Sequence, residues 1–212
     1  MHEIYRTRLD ALGESWRAWG ELGESLTDAQ WSTPTRCTGW DVAAVYAHHS
    51  VFPLVMSEPP PLVDAAAAGQ PLTAAEILRR FNSPGGVAHS MAETVAEVAI
   101  TDVGRHTRRE LVERFAQAGP PVIHRLRAAQ PRLVLPWPAS GGVTTLVEAL
   151  RIVLMEATVH LLDIQRALHY PPAVPDLALA DTARLLAEVA SAVEFIEAAT
   201  GRSTDSPLPV LR

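Results

Sequence analysis

Two side chains that could do chemistry, Glu156 and His160, stand four residues apart in an apolar stretch of the sequence. The stretch, residues 144–168, is predicted to be a helix, and this spacing places both side chains on one helix face about one turn apart. A carboxylate and an imidazole among leucines and valines need partners, because burying an unpaired polar group costs free energy. They could form a hydrogen-bonded pair in the core or act as two ligands of a metal ion. The helix by itself favours the hydrogen-bonded pair.

A further ligand could come from the dipeptide His48-His49, at the end of a helix predicted to begin near Gly39 and to be interrupted near Pro53. Adjacent helical residues point about 100° apart, so at most one of the two imidazoles faces the interior of a bundle. Opposite the carboxylate–imidazole pair, it would complete a trio of His, Glu and His. Three protein ligands and a vacant fourth position are what a catalytic zinc site needs. The same ligands also suit nickel or iron.

Three strings of this sequence resemble the DinB-like superfamily, and most closely its branch of mycothiol-dependent maleylpyruvate isomerases. They are WSTPTRCTGWDVAAVYAHHS at residues 31–50, VLPWPASGG at residues 134–142 and LMEATVHLLDIQRAL at residues 154–168. The resemblance implies an all-α fold, namely a DinB-like four-helix bundle with a long crossover connection. This chain adds one more C-terminal helix.

The resemblance also implies which residues form the site. Within a pattern like GWxVxxVxAH it places a metal ligand at His48, and it puts His49 where the family has a core apolar residue. The family's ExxxH motif matches Glu156 and His160, which would be the other two ligands. Asp163 matches the acid three residues beyond that motif. The implied metal is Zn²⁺, or another divalent ion such as Ni²⁺.

The activity implied is activation of a small thiol, mycothiol or a similar molecule, since a metal ion deprotonates a thiol that binds beside it. The thiolate would be transferred to a small electrophilic substrate or would catalyse its isomerisation. Asp163 could accept the outer ring N–H of a ligand histidine. Alternatively, it could be a solvated residue paired with Arg166 or Arg151. Cys37 could contact the bound thiol, although a partly buried structural cysteine is the interpretation that the residue type favours.

Two other functions compete with thiol activation. The same bundle could be a non-catalytic protein that binds a small molecule or a partner. It could also be a metal-dependent hydrolase, in which water takes the open position that the thiol would occupy. Metal content and thiol dependence distinguish the three functions.

Helical periodicity, capping-box spacings and proline positions predict the remaining elements of a single domain over residues 1–200. Gly119, followed by two prolines, is expected to break or kink one helix, and Thr38 is predicted to be the N-cap of the helix that carries His48. No strand is predicted, and residues 201–212 are expected to form an extended tail. The predicted helices cover residues 2–23, 27–31, 39–53, 73–81, 88–100, 107–130, 144–168 and 176–199.

The composition excludes several classes of function. The net charge is −6, with the acidic residues spread along the chain, and this balance argues against a nucleic-acid surface or an anionic-membrane anchor. All 18 basic residues are arginines. The chain has a single cysteine and therefore no intramolecular disulfide. No apolar run reaches the length of a membrane span, and the amino terminus lacks the apolar core of a signal peptide. A cytoplasmic protein is expected, and its last helix could pack against a second copy in a homodimer.

Overall fold

The computed structural model describes residues 2–58, 69–137, 141–203, 205 and 208–211. Much of the predicted crossover, residues 59–68, lies outside this part of the chain. The helices are α1 His2–Ser25, α2 Asp28–Trp31, α3 Val42–His49, α4 Val51–Val55, α5 Ala74–Phe81, α6 Val87–Ser90, α7 Ala92–Arg105, α8 Arg108–Glu113, α9 Gly119–Arg127, α10 Leu146–Ala167, α11 Asp176–Val189 and α12 Ala192–Ala199. A π-helical turn, Arg114–Ala118, joins α8 to α9, and the two strands are β1 Val134–Trp137 and β2 Gly142–Thr145.

The fold is an all-α bundle in which the two long helices α1 and α10 pack against each other. Helix α1 buries Leu9, Leu12, Trp16 and Trp19 on one face, as its three- and four-residue spacing of apolar side chains predicts. Trp19 Nε1 donates a hydrogen bond of 3.0 Å to the carbonyl oxygen of Ala157 on α10, which satisfies the polar atom of this fully buried side chain. The bundle core therefore fixes the position of α10.

Helix α3 begins three residues later than the sequence predicts. Its N-cap is Asp41, whose side chain accepts a hydrogen bond of 2.9 Å from the backbone N–H of Ala44. The predicted cap, Thr38, is exposed and precedes the helix. The predicted interruption at Pro53 is also displaced: α3 ends before Ser50, and the proline lies in the first turn of α4, where a helix needs no N–H donor.

The chain stays helical at Gly119, where a break or kink is predicted. The backbone passes from α8 through the π-helical turn into α9, and Pro120 and Pro121 fall in the first turn of α9. Proline rings are tolerated there because the N–H groups of a first turn have no helical partner. The local departure from α-helical geometry is the π-helical turn just before the prolines, which contains one extra residue.

The prediction that the chain has no strand is wrong, because β1 and β2 form a short hairpin. Strands β1 and β2 pair in antiparallel register, from Val134 with Thr145 to Trp137 with Gly142. The backbone N–H of Leu72 donates to the carbonyl oxygen of Val143 at 2.8 Å, so the hairpin also holds the chain that enters α5. Helix α10 consequently begins at Leu146 and not at residue 144.

The predicted last helix is divided in two at Ala190 and Ser191, where the backbone is extended. Helix α11 packs on α5 and α10, while α12 buries none of its residues. None of the described helices is both long and apolar enough to cross a membrane.

Candidate metal centre

Three potential metal ligands converge between α3 and α10. Glu156 Oε2 lies 3.3 Å from His160 Nε2 and 3.9 Å from His48 Nε2. One ligand atom from each of the three residues lies within 4.8 Å of the other two. The structure thus brings together the three residues that the sequence proposes as ligands, one from α3 and two from α10.

These separations fit the donor set of a zinc site. In a tetrahedral site with bonds of about 2.0–2.1 Å, neighbouring ligand atoms lie about 3.3 Å apart. The separation between Glu156 and His160 already has that value, and the one between Glu156 and His48 exceeds it by an amount that a side-chain torsion can remove. Two imidazole nitrogens and one carboxylate oxygen therefore suit a divalent ion with an open coordination position.

The two adjacent histidines of α3 face different surroundings. The His48 side chain keeps 24% of its surface exposed beside Glu156. His49 is fully buried between Trp19 and Phe115, with ring centroids at 4.6 and 5.7 Å. Among the described residues, neither ring nitrogen of His49 has a hydrogen-bond partner. Of these two histidines, His48 is the one in a position to bind an ion together with α10.

An aromatic wall limits the movement of the candidate ligands. The Trp40 ring centroid lies 5.0 Å from that of His48 and 6.1 Å from that of His160, and the two imidazole rings meet edge-on at 5.1 Å. The Phe52 ring also lies beside His48, edge-on, with 6.4 Å between the ring centroids. The rotamers that point both imidazoles at Glu156 are therefore held by packing. Trp40 contributed to the sequence resemblance, but the sequence alone gave it no role at the site.

Asp163 connects the candidate centre to the loop before α3. Its Oδ2 lies 3.0 Å from His160 Nδ1 and accepts a hydrogen bond of 3.2 Å from Cys37 Sγ. Its Oδ1 accepts a hydrogen bond of 2.5 Å from Arg36 Nε. The side chain is only 5% exposed. The interpretation of Asp163 as a solvated residue paired with Arg166 or Arg151 is therefore wrong, since Arg151 pairs instead with Glu188 and Asp181.

The charges of the cluster stabilise a proton on His160 in the metal-free protein. Burial disfavours the imidazolium, but contacts with Asp163, Cys37 and Glu156 outweigh burial and raise the pKa of His160 well above its ordinary value. Burial likewise opposes ionisation of Glu156, yet His160 and His48 lower the pKa of that carboxyl. The pKa of Asp163 is also lowered, because His160 and Arg36 outweigh its burial. These shifts favour an imidazolium between two carboxylates, a place that a metal ion could take instead.

The loop before α3 contributes to the site in a way that the sequence does not predict. Arg36 and Cys37 reach Asp163 on α10, more than one hundred residues later in the chain. The loop is held in a tight turn: the N–H of Thr35 donates to the carbonyl oxygen of Trp40 at 2.9 Å, and Gly39 adopts a φ of 80°. The Arg-Cys dipeptide in the motif was a signal, but its partner could not be read from spacing.

Comparison with known proteins finds one family whose sequence model covers most of the chain. The sequence model described as mycothiol maleylpyruvate isomerase N-terminal domain matches residues 12–165. That range contains α3 and the three candidate ligands on α3 and α10. No curated protein and no solved structure matches the chain.

Proposed function

The chain belongs to the mycothiol maleylpyruvate isomerase N-terminal domain family, within the DinB-like superfamily. On that basis we propose that it is a metal-dependent enzyme that activates a low-molecular-weight thiol, mycothiol or a similar molecule. The thiol is transferred to a small electrophilic substrate, or it isomerises that substrate. The observation that carries the proposal is the convergence of His48, Glu156 and His160 within 4.8 Å.

These three residues would hold the divalent ion, with zinc as the first candidate and nickel as the second. When bound, such an ion lowers the pKa of a thiol at the open position, so that thiolate exists at neutral pH. The residues around the site prepare the ligands. With the ion bound, Asp163 would accept Nδ1–H of His160 and so fix the tautomer whose Nε2 lone pair is free to bind the ion. Trp40 holds both imidazole rings in place.

The thiolate supplies the nucleophile, so the protein needs no general base beside the substrate. Attack on a carbon that bears a leaving group forms a C–S bond, and the leaving group departs with its electron pair. Attack on a conjugated double bond instead forms a C–S bond and a carbanion. The former double bond is now a single carbon–carbon bond, and the molecule can rotate about it. Loss of the thiolate then restores the double bond and gives the isomer. The thiol is consumed in the first reaction and regenerated in the second.

The test begins with metal analysis of protein purified without chelator. The wild type is expected to contain about one divalent ion per chain, and His48→Ala to contain little. The matched control is His124→Ala, which removes an exposed histidine of α9. If wild type and His48→Ala lack metal alike, the metalloenzyme proposal fails.

A panel of small thiols is then tested with an electrophilic substrate. Thiol-dependent consumption of the electrophile in the wild type, lost in His48→Ala, supports the proposal. Turnover that proceeds at the same rate without thiol identifies a hydrolase. Metal-loaded protein that shows neither reaction across the panel supports a binding or interaction protein and contradicts thiol activation.

A further inference from the structure

A second cluster of potential ligands adjoins the first and shares one residue with it. Cys37 Sγ lies 3.2 Å from Asp163 Oδ2, and His160 Nδ1 lies 3.0 Å from the same oxygen. One ligand atom from each residue lies within 4.8 Å of the other two. The proposed zinc site uses Nε2 of the shared imidazole, whereas this cluster uses Nδ1.

The donor set of this cluster differs in chemistry from the first. A thiolate, an imidazole nitrogen and a carboxylate oxygen form a softer set than two imidazoles and a carboxylate, and soft ligands favour thiophilic ions. Asp163 is buried, while Cys37 is partly exposed, so an ion could reach the sulfur from solvent. The cluster therefore combines a thiophilic ligand with an approach to it.

The backbone holds the cysteine in place before any ion binds. The N–H of Cys37 donates to Thr35 Oγ1 at 3.2 Å, and its carbonyl oxygen accepts from the N–H of Trp40 at 3.0 Å. His160 and Asp163 are three residues apart on α10 and so share a helix face. Two rigid elements thus present the three ligands, which lowers the ordering entropy that ion binding must overcome.

Arg36 selects which oxygen of Asp163 is available. Its Nε binds Oδ1, and Oδ2 is left to face the sulfur and the imidazole. The guanidinium is a nearby positive charge, which opposes binding of a cation. Two anionic ligands, the thiolate and the carboxylate, offset that charge, and the Arg36 side chain is 58% exposed, so water screens it.

We propose that Cys37, Asp163 and Nδ1 of His160 form a second cation site that takes a thiophilic divalent ion such as Cd²⁺. Binding releases two protons to solvent, one from the thiol and one from Nδ1, and no oxidant or reductant takes part. The ion takes the place of the hydrogen bond from Nδ1 of His160 to Asp163.

The test is a titration of metal-free protein with Cd²⁺, followed by the ultraviolet charge-transfer absorbance of cadmium thiolate. Because Cys37 is the single cysteine of the chain, this band reports on one sulfur. The wild type is expected to develop the band at stoichiometric Cd²⁺. Cys37→Ser is expected to show no band and to bind about one ion fewer per chain. Absence of the band in the wild type overturns the proposal.

Two more variants separate the sites. Asp163→Asn keeps the side-chain shape but removes an anionic ligand. The Cd²⁺ concentration needed to develop the band is therefore expected to rise at least about tenfold. A band that titrates as in the wild type would mean that Cd²⁺ binds the sulfur alone, which refutes the site. His48→Ala removes a ligand of the proposed zinc site only, and its band is expected to persist. Loss of the band in that variant would contradict a separate second site, whatever the variant's activity.

Discussion

His160 Nδ1 lies 3.0 Å from Asp163 Oδ2, while Nε2 of the same ring lies 3.3 Å from Glu156 Oε2. One imidazole therefore bridges two carboxylates on the same helix, one on each ring nitrogen. In the metal-free protein this arrangement stabilises the imidazolium, which is why the pKa of His160 is raised. Once an ion replaces the proton on Nε2, the same arrangement orients the neutral ring.

Asp163→Asn is expected to weaken metal binding at the His48, Glu156 and His160 site by about 10- to 100-fold, because an amide accepts the Nδ1–H less strongly than a carboxylate. Competition with a coloured chelator measures this affinity directly. The control is Glu194→Gln, which neutralises an exposed acid on α12 without approaching the site. Equal affinities in the wild type and Asp163→Asn would show that the contact does not support the ligand.

Metal affinity is expected to depend on pH through His160. The metal-free protein holds a proton on this residue, since its pKa is raised, and only the neutral imidazole binds an ion. Affinity therefore falls by up to about tenfold for each pH unit below that raised pKa and levels off above it. A chelator-competition series from acidic to alkaline pH tests the sign. Affinity that is constant through the range above the ordinary imidazole pKa would contradict a proton held there.

The sequence was sufficient for part of the site. The four-residue spacing of Glu156 and His160 places both on one face of α10 with no knowledge of the fold. Choosing His48 over His49 needed the family resemblance, since periodicity shows only that both cannot face the same way. The contacts of Arg36 and Cys37 with Asp163 could not be predicted, because they depend on how a loop crosses α10 in the folded chain.

The secondary structure was predicted wrongly where two local sequence signals compete or where the signal is weak. Thr38 and Asp41 are both good N-cap residues, and the first had an acid three residues later, which is the capping-box pattern. In the structure, Asp41 is the N-cap. The hairpin of β1 and β2 is only four residues long on each side and includes a proline, so neither strand has a detectable alternating pattern.

The choice of cap gives a stability test. Asp41→Ala removes the side chain that accepts from the N–H of Ala44, and it is expected to lower the free energy of unfolding by about 1 kcal/mol. Thr38→Ala, at an exposed position before the helix, is expected to change it by less than about 0.5 kcal/mol. Urea unfolding of the two variants measures both values. The opposite order would place the N-cap of α3 at Thr38 after all.

The buried imidazole of His49 should make the protein sensitive to acid. Burial, followed by the neighbouring charge of His160, lowers the pKa of His49 well below 6.5. The unfolded chain therefore binds a proton near pH 6.5 that the folded chain excludes, and stability falls as the pH drops below that value. One pH unit lower, at about pH 5.5, this residue alone is expected to reduce the free energy of unfolding by about 1.4 kcal/mol.

His49→Leu is expected to abolish this component, because leucine fills a similar volume beside Trp19 and Phe115 and has no proton to bind. Urea unfolding of metal-free protein at about pH 7.5 and 5.5 gives the loss of stability on acidification for each variant. The loss in His49→Leu should be smaller than in the wild type by about 1.4 kcal/mol. His124→Gln, which removes an exposed imidazole, should lose as much as the wild type. If His49→Leu is as acid-sensitive as the wild type, His49 accepts a proton inside the folded core, and a partner for its ring nitrogens must exist there.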